Sequence, residues 1–457
     1  MADHKYSLVP RAVPRVQTAY RQIVTAIPVP ESLPIFETLA RVEPVSMQGQ
    51  PPIIWDRAEG FQVHDRWGNC WIDWSSCVLV ANVGHGRPEI IAALRALLDK
   101  PLLATYVFAH EARAELCSLL AATAPRPDDK VFLLSTGAEA TENAVKLART
   151  YGVRRHGERK HVIVSFEGAF HGRTLGAQMI GGMSALKDWI VRLPEGFVQV
   201  PFPDGFRCLD TRFACFEETL ARHGLGPADI AGVITESYQG IGPNFLPDDY
   251  ARALGRWCRQ HDVVLMMDEV QAGFGRTGKY YCWQHYDLIP DLICCGKGVS
   301  SSLPLAAVIG RSDIMSLYPP GSMTSTHSAS PLPVAAAIAS LKILAQEDLA
   351  GKAAALGREV LGPRLDALQG RYPRRIGAAL HRGLVAGLLM VKPGTKDPDA
   401  DAALAVYEAC LRKGLLMFAP VGLGGGCIKI APPLITPRDA LEEGLGVLEE
   451  ACAEVLG

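Results

Sequence analysis

The sequence predicts an α/β protein with a large domain on a mostly parallel sheet and a smaller α+β domain. Between residues 96 and 345, apolar runs alternate with helical patterns, which is typical of parallel strands covered by helices. Two of these runs end in reactive side chains, since 263–267 leads to Asp268 and 292–295 leads to Lys297. At 457 residues, the chain also exceeds what one hydrophobic core usually supports.

The elements of the large domain follow from these patterns. Helices are indicated by periodic apolar positions, for example over 140–151 and 250–261. Because ligands of such sheets bind beyond the carboxyl ends of the strands, we expect the site there. The six predicted strands are 131–134, 162–165, 230–235, 263–267, 292–295 and 306–309.

The remaining segments form a second group of predicted elements. Residues 1–50 are proline-rich and predict an N-terminal arm, and 51–95 predict the first part of the small domain, with hairpin strands at 53–55, 61–63 and 71–74 around a turn at 65–69. Residues 346–457 predict its C-terminal part. Its predicted helices are 348–369, 399–413 and 437–456, and its predicted strands are 384–391 and 427–430.

The overall composition indicates an enzyme that acts on a small molecule. There are 46 Lys and Arg against 48 Asp and Glu, which gives a formal charge of −2. This balance does not indicate a positively charged surface that would bind nucleic acid or an anionic membrane. No apolar stretch is long enough to cross a bilayer. We expect no membrane association and no nucleic-acid partner.

The cysteines and the N-terminus favour the cytoplasm. Twelve cysteines occur without a CxxC pair, which predicts neither a zinc ribbon nor a redox motif, and we expect no metal. The first five residues lack the apolar stretch of a signal peptide. A reduced, cytoplasmic protein is the expectation.

Lys297 is the most informative residue of the chain. It follows an apolar run and lies between two glycines, so its amine can be desolvated, and burial favours the neutral, nucleophilic form. Asp268 ends a neighbouring apolar run. An amine that forms a Schiff base, together with an acid aimed at a pyridinium nitrogen, is the protein's part in pyridoxal 5'-phosphate (PLP) chemistry.

Two further loops could serve such a cofactor. Residues 134–142 join a strand to a helix, where free backbone N–H groups hold a phosphate, although a simple N-cap explains the same residues. Residues 165–174 bring Phe170, His171 and Arg173 to one loop, offering a stacking face and a forked cation. The alternatives are a core Phe170 and a solvated Arg173.

Residues 273–278 match G-x-G-x-x-G and raise a remote alternative, an NAD(P)-dependent oxidoreductase. A strand precedes them, as that motif requires. However, 279–287 are aromatic and polar without helical periodicity, so the helix that would hold the dinucleotide is not predicted.

Taken together, the chain resembles the class III, or ω-amine, PLP-dependent aminotransferases of fold-type I from about residue 50 onward. The resemblance implies a seven-stranded sheet in the large domain. The motifs that carry it are 84–88 (Gly-His-Gly-Arg-Pro), 135–140 (Ser-Thr-Gly-Ala-Glu-Ala), 170–174 (Phe-His-Gly-Arg-Thr), 268–277 (Asp-Glu-Val-Gln-Ala-Gly-Phe-Gly-Arg-Thr), 296–298 (Gly-Lys-Gly) and 432–437 (Pro-Pro-Leu-Ile-Thr-Pro).

The resemblance also implies a role for each matching residue. Lys297 would be the nucleophile and the acid/base, and Asp268 would hold the ring nitrogen protonated. Gln271 would reach the ring hydroxyl, with Val270 and Phe170 on the two faces. In the family, a threonine of the partner subunit completes the phosphate site, which implies a homodimer. The other implied cofactor-binding residues are Thr136, Gly137, Ala138, His171, Glu236 and, from the partner, Thr326.

Departures from the family pattern bear on the substrate. Relatives that use 2-oxoglutarate and an ω-amino acid carry a Glu where this chain has Ile241, and an Arg where it has Lys429, which lacks bidentate geometry. Arg173 is retained. We therefore expect an ω-amine, a diamine or an amino sugar, as in aminoglycoside biosynthesis, with an amino acid or oxo acid partner, in a pocket lined by Val78, Tyr238 and Ile241.

The motifs leave two alternatives open. Racemases, epimerases and aminomutases share the scaffold and the lysine, and differ in needing no amino acceptor. A binding protein without catalytic activity is disfavoured, because a buried amine and acid are costly to keep without chemistry.

Overall fold

The computed structural model describes residues 6–49 and 51–457. The prediction for the first five residues therefore lies outside the described part. In chain order, the strands are β1 (Val16–Gln17), β2 (Gln22–Ile23), β3 (Arg57–Glu59), β4 (Gln62–His64), β5 (Cys70–Asp73), β6 (Lys130–Leu134), β7 (Val162–Phe166), β8 (Phe197–Val200), β9 (Ile230–Glu236), β10 (Val264–Asp268), β11 (Leu292–Cys295), β12 (Ala306–Gly310), β13 (Ile376–Arg382), β14 (Val385–Met390), β15 (Leu415–Leu416) and β16 (Cys427–Ile430).

The α-helices vary from one turn to five or more. Those of the described chain are Leu33–Val42, Pro88–Leu98, Glu111–Ala121, Gly137–His156, Leu175–Met179, Ala214–Arg222, Asp248–Gln260, Ser312–Met315, Pro331–Gln346, Leu349–Leu356, Gly362–Arg371, Ala400–Arg412 and Arg438–Leu456. Ser76–Leu79 is instead a left-handed turn, with φ between 47° and 62° at its four residues.

The chain forms two compact units. One contains the described residues up to Val78 together with Gly84–Arg87 and Ala355–Gly457, and the other contains Leu79–Val83 and Pro88–Ala354. We call them the split unit and the central unit. The predicted division at residues 50, 95 and 345 stays a prediction, and within the split unit β2 of the predicted arm pairs with β5.

A seven-stranded sheet in order β6-β12-β11-β10-β9-β7-β8 organises the central unit. Only β12 runs against its neighbours, so the α/β class with a mostly parallel sheet is confirmed. The central strands β9, β10 and β11 are buried throughout. This explains their continuous apolar runs, because a parallel sheet is covered on both faces.

The helix Gly137–His156 packs closely on this sheet because small residues line the contact. A Cβ on Gly152 would lie 2.8 Å from Ala231 Cβ, and a Cβ on Gly232 would lie 3.1 Å from Ala148 Cβ. Larger side chains at these positions would push the helix outward. Its N-terminus is thereby fixed at the carboxyl edge of the sheet.

The split unit has two sheets of its own. A six-stranded sheet has the order β1-β2-β5-β4-β3, with β15 beside β5, and a three-stranded sheet has the order β13-β14-β16. The turn at 65–69 forms as predicted, because Asp65 accepts hydrogen bonds from the N–H groups of Trp67 and Asn69, both at 2.9 Å.

Two predicted elements of this region are wrong in detail. Residues 53–55 form no strand; two prolines precede them, and Trp55 packs edge-on against His85 at 5.7 Å. The predicted single helix 348–369 is interrupted by a π-helical turn at Gly357–Leu361. The interruption occurs where a Cβ on Gly357 would lie 2.3 Å from Gly383 O, so backbone packs against backbone there.

Six of the observed strands were not predicted: β1, β2, β3, β8, β13 and β15. The two longest of these show why. β8 is an edge strand whose residues are mostly half-buried, and β13 contains small residues that give no clear alternation. Both are recruited by pairing with a stronger neighbour, β7 and β14 respectively. Pairing with a neighbouring strand in the folded protein thus outweighs a weak local preference for strand conformation.

Candidate active site

A cavity opens at the carboxyl edge of the seven-stranded sheet, within the central unit. Side chains from five loops or strand ends line it, and all except Gly172 were predicted as site residues. They are Gly137, Ala138, Phe170, His171, Gly172, Glu236, Tyr238, Asp268, Val270, Gln271 and Lys297.

Lys297 enters this cavity from a tightly constrained backbone. It follows β11 and has φ of 43°, a left-handed conformation that is costly for a residue with a Cβ. A Cβ on Gly296 would lie 3.1 Å from Val270 Cγ1, and one on Gly298 would lie 2.4 Å from Asn82 Nδ2. A Cβ at position 298 would therefore displace Asn82, and a Cβ at position 296 would require Val270 to shift by a few tenths of an ångström.

The charge balance of Lys297 favours a reactive amine. Burial lowers its pKa, and the nearby carboxylates of Asp268 and Glu236 offset this only in part. A larger fraction of the amine is neutral than for a solvated lysine, and only the neutral form is nucleophilic.

Asp268 ends β10, and in the sheet register it lies beside Glu236 and Cys294. Its Oδ2 is 2.7 Å from His171 Nδ1, and its Oδ1 accepts a hydrogen bond from Val270 N at 3.0 Å. Burial opposes a charge on His171, but the hydrogen bond to Asp268 and the negative charges of Asp268 and Glu236 together outweigh it, so the pKa of His171 is raised. The imidazole thus orients the carboxylate.

Glu236 joins two loops above the sheet. Its Oε2 accepts a hydrogen bond from Phe170 N at 3.0 Å, and its Oε1 accepts one from Gly240 N at 2.7 Å. Burial raises the pKa of Glu236 to about 7. Its geometry indicates that it positions the loop of Phe170 in addition to lining the cavity.

The N-terminus of the helix Gly137–His156 faces the same cavity. Thr136 is its N-cap and forms a capping box with Glu139, whose carboxylate accepts from the N–H groups of Ser135 and Thr136. Gly137 and Ala138 occupy the first turn, where N–H groups have no partner inside a helix. The exposed Thr136 side chain caps the helix and does not line the cavity.

The predicted substrate residues of the central unit have different surroundings. Tyr238 lines the cavity, is 1% exposed, and donates a hydrogen bond to Gln271 O at 3.2 Å. Arg173 is exposed and lies over the ring of Phe170, 5.6 Å from its centroid. Neither Arg173 nor the half-buried Ile241 lines the cavity.

Three predicted residues lie elsewhere in the chain. Thr326 is exposed on the loop before the helix Pro331–Gln346, outside the cavity of its own chain. Val78 and Lys429 belong to the split unit. Val78 is 49% exposed in the left-handed turn, and Lys429 is buried in β16, with Nζ 5.5 Å from the centroid of the Phe418 ring.

Glu269 is a buried group whose role sequence reasoning did not assign. Its carboxylate accepts from the Ser237 hydroxyl and from the N–H groups of Cys282 and Trp283, at 2.9 and 2.8 Å. Burial raises its pKa to about 7. The one signal in the sequence is an acid that directly follows Asp268 at the end of an apolar run.

The glycines of residues 273–278 do not hold a dinucleotide. The helix that a dinucleotide motif requires does not follow them, since only a short 3-10 segment, Cys282–His285, begins there. The glycines instead allow tight turns and close packing: Gly275 has φ of 88°, and a Cβ on Gly278 would lie 2.8 Å from Ala354 Cβ. This rules out the oxidoreductase alternative.

Comparison with known proteins decides the family. Residues 45–452, most of the chain, match the class-III aminotransferase family. The chain belongs to the class-III aminotransferases. It is accordingly a PLP-dependent enzyme that transfers an amino group, as the sequence predicted.

Individual relatives of this class-III aminotransferase span almost its whole length. The 4-aminobutyrate aminotransferase of Mycobacterium leprae is 32% identical over 441 residues, 94% of this chain and 97% of the relative. Isoleucine 2-epimerase of Lentilactobacillus buchneri is 32% identical over 417 residues, 88% and 90% of the two chains. A solved amine transaminase from an uncultivated Pseudomonas species, in the PLP-bound (internal aldimine) form, superposes with a TM-score of 0.82 at 28% identity, covering 90% of this chain and 96% of that one.

The cavity of this class-III aminotransferase fits the cofactor. An amine of lowered pKa, a buried carboxylate and the N-terminus of a long helix all face it, matching the aldehyde, the ring nitrogen and the phosphate of PLP. The described residues, 6–49 and 51–457, contain no cluster of His, Cys, Asp and Glu that could hold a metal. Over the same residues, no helix is both long and apolar enough to cross a membrane.

Proposed function

We propose that Lys297 is the residue that condenses with the aldehyde of PLP and that Asp268 pairs with the ring nitrogen. The observation that carries this assignment is their convergence: a partly desolvated amine and a buried acid line one cavity although 29 positions separate them in the sequence. Reduction of the loaded enzyme with borohydride, followed by peptide mapping, tests the first assignment directly.

Bound PLP supplies an aldehyde and an electron-withdrawing ring. Asp268, oriented by His171 and by Val270 N, holds the ring nitrogen in its protonated form. When the substrate amine is bound to the aldehyde carbon in place of the lysine, Lys297 Nζ would carry a proton from the substrate carbon to the cofactor. Its lowered pKa suits this role, because a base must be neutral before it accepts a proton.

The remaining contacts would orient the cofactor. The N–H groups of Gly137 and Ala138 receive the phosphate, since helix N-termini favour anions. Phe170 and Val270 enclose the two faces of the ring, and Gln271 reaches the ring hydroxyl. His171 and Glu236 support this arrangement through Asp268 and the N–H of Phe170.

We further propose a homodimer in which Thr326 completes the phosphate site of the partner. Thr326 is exposed, and Tyr106 next to its loop contacts Thr324, with 3.0 Å between the hydroxyl oxygens. Leu103 and Phe108 of the same region are 55% and 75% exposed. Apolar surface of this kind favours a subunit contact.

A mixed dimer of Lys297→Ala and Thr326→Ala protomers tests this arrangement. If Thr326 serves the partner, one of the two sites keeps both residues, and the mixed dimer has about half of the wild-type activity per dimer. If Thr326 acts within its own chain, no site is intact and the activity stays at the level of the single variants.

We propose that the amino donor is a primary amine without a terminal carboxylate: an ω-amine, a diamine or an amino sugar. The loop 237–245 next to the cavity carries no charged residue. Tyr238 lines the cavity, Ile241 lies on the same loop, and burial raises the pKa of Tyr238, which keeps its hydroxyl neutral. Arg173 is available for the carboxylate of an oxo acid acceptor.

Spectra of the loaded enzyme with single donors test the substrate class. We expect bleaching of the cofactor band by putrescine, aminoglycosides or simple ω-amines, and slow bleaching by 4-aminobutyrate or ornithine. An Ile241→Glu variant should gain 4-aminobutyrate turnover with 2-oxoglutarate. Rapid turnover of that pair by the wild-type enzyme would refute the assignment.

Isomerisation is the second candidate function, because the relative from L. buchneri is an isoleucine 2-epimerase. The acceptor dependence distinguishes the two. A transaminase stops after one turnover per site when no oxo acid is present, whereas an epimerase continues and exchanges the proton of its substrate with solvent.

We propose that the enzyme is cytoplasmic. All twelve cysteines are free, and most of them are buried. Secreted proteins usually form disulfides.

A further inference from the structure

We propose that Asn82 and Arg276 are positioning residues that hold the backbone of Lys297 in its left-handed conformation and thereby aim its amine. A strained conformation persists only where the surrounding structure imposes it. The contacts that impose it here come from a buried amide and guanidinium outside the cavity. We call Asn82 and Arg276 the amide clamp.

Asn82 contacts Gly298, the residue after the lysine. The glycine leaves room for Asn82 Nδ2, which lies 2.4 Å from where a Cβ would be. The Cβ of Phe274 lies 3.4 Å from the same point. Asn82 and Phe274 therefore both pack against the Cα of Gly298, and the peptide after Lys297 cannot move toward them.

The side chain of Asn82 is itself held in place by hydrogen bonds. Its Nδ2 donates a hydrogen bond to Phe274 O at 3.0 Å, and its Oδ1 accepts one from Arg276 Nη2 at 2.7 Å. Asn82 is 1% exposed and Arg276 is fully buried. A buried, charge-assisted hydrogen bond is among the stronger ones, so the amide has one orientation.

Backbone strain is concentrated around the amide clamp. Phe274, Lys297 and Ser301 have φ of 58°, 43° and 53°, although none is glycine, asparagine or aspartate. Ser301 Oγ donates to Gly298 O at 3.1 Å and accepts from Val83 N at 3.4 Å, so the neighbour of Asn82 also restrains the lysine segment.

Amide exchange in the cofactor-free enzyme tests this proposal without relying on activity. The N–H groups of Val299 and Ser301 bond to Gly296 O and Lys297 O, and so report on the segment. In Asn82→Ala we expect these two amides to exchange about tenfold faster or more, because buried hydrogen bonds are lost. Asn82→Asp keeps an acceptor for Arg276 but loses the donor to Phe274 O, and should recover part of the protection.

Kinetics supply the second measurement. Asn82→Ala should lower kcat by about tenfold to a hundredfold, the effect of a small misplacement of a reacting group, and should slow borohydride trapping of the cofactor on Lys297 with little change in KM for the acceptor. Arg276→Lys should show the same pattern more weakly. Tyr151→Phe is the matched control: it removes a hydrogen bond to Asp262 at 3.0 Å in the same unit and should change neither quantity.

Two outcomes would overturn the proposal. If Asn82→Ala keeps wild-type exchange at Val299 and Ser301, the clamp does not hold the segment. If exchange rises but kcat and trapping stay unchanged, the clamp does not aim the amine. Should Asn82→Ala fail to fold, Arg276→Lys with Asn82→Asp decides the question by the same measurements.

Discussion

The two edges of the seven-stranded sheet use charge in opposite ways. At the amino edge, Asp291 is neutralised by its neighbours: Oδ1 accepts from Arg311 Nη1 at 3.1 Å and from Arg126 Nη2 at 3.4 Å, and Oδ2 accepts from Leu265 N at 2.9 Å. At the carboxyl edge, burial instead lowers the pKa of the Lys297 amine and raises the pKa of Glu236 to about 7.

Backbone strain also differs between the two edges, and it is greater at the carboxyl edge. At the amino edge, Asp262 has a left-handed backbone, and aspartate tolerates this conformation. At the carboxyl edge, the left-handed residues are Phe274, Lys297 and Ser301, which tolerate it poorly. The amino edge of the sheet is therefore built for stability, while the carboxyl edge keeps backbone strain and poorly solvated charge that serve catalysis.

Removal of the amine should give the largest effect. Lys297→Ala should lower kcat by on the order of 10³-fold or more, since both the nucleophile and the proton carrier are lost. PLP should still bind through the helix N-terminus, and the melting temperature should not fall, because a desolvated amine is removed while the backbone strain at position 297 stays the same. Turnover, cofactor content and thermal unfolding check these outcomes. A marked loss of stability would mean that the carboxyl edge is also built for stability.

Asp268→Asn should have the next largest effect. The neutral amide cannot hold the ring nitrogen protonated, so we expect kcat to fall by about 10²–10³-fold with little loss of bound cofactor. The measurement is kcat together with the cofactor stoichiometry. A variant that loses PLP but turns over normally when saturated would show that Asp268 serves binding only.

A substitution at the amino edge should show the opposite pattern. Asp291→Ala leaves two guanidinium groups and Leu265 N without this acceptor, and we expect the free energy of unfolding to fall by about 1–3 kcal/mol. The kcat of the folded protein should be unchanged. Chemical denaturation and active-site titration separate the two quantities.

The pH dependence of stability should be the smallest effect when it is measured over a single pH unit. Because the folded-state pKa of Glu236 is about 7 against an ordinary 4.5, the folded state binds more protons between these values. Its stabilising contribution is complete below pH 4.5 and is lost as the pH rises through 7. Glu236→Gln should make the cofactor-free enzyme less sensitive over this range, by on the order of 1 kcal/mol per pH unit.

Asp262 at the amino edge provides the contrast. Burial alone would raise its pKa, but hydrogen bonds from His156 and Tyr151 lower it below the usual value. Its contribution is therefore present above its ordinary pKa and is lost as the pH falls. Asp262→Asn should flatten the stability curve only at acidic pH. If both variants changed the dependence of stability on pH over the same pH range, the two edges of the sheet would not differ in this respect.

The sequence predicted much of the catalytic edge because two of the strands that lead to it are strong local signals. The runs before Asp268 and Lys297 can be read without tertiary information, and parallel neighbours bring their ends together. The family resemblance supplied the proposed roles of Gly137, Ala138 and Gln271, which stay predictions.

What could not be predicted depends on contacts between distant segments. Asn82 and Arg276 are separated by 194 positions and carry no local signal of their pairing. Glu269 could not be distinguished from a solvated acid until the N–H groups of Cys282 and Trp283 were brought to it. The π-turn at Gly357–Leu361 likewise depends on Gly383, 26 positions away.

The central claim is that Lys297 alone carries the aldehyde of the cofactor. Reduction of the loaded enzyme with borohydride, proteolysis and mass spectrometry measure which lysine is modified. We predict one pyridoxyl group per chain, on the peptide that contains Lys297, and none in Lys297→Ala. A label on any other lysine of the wild-type enzyme, or an enzyme that turns over without a reducible bond, would contradict the account.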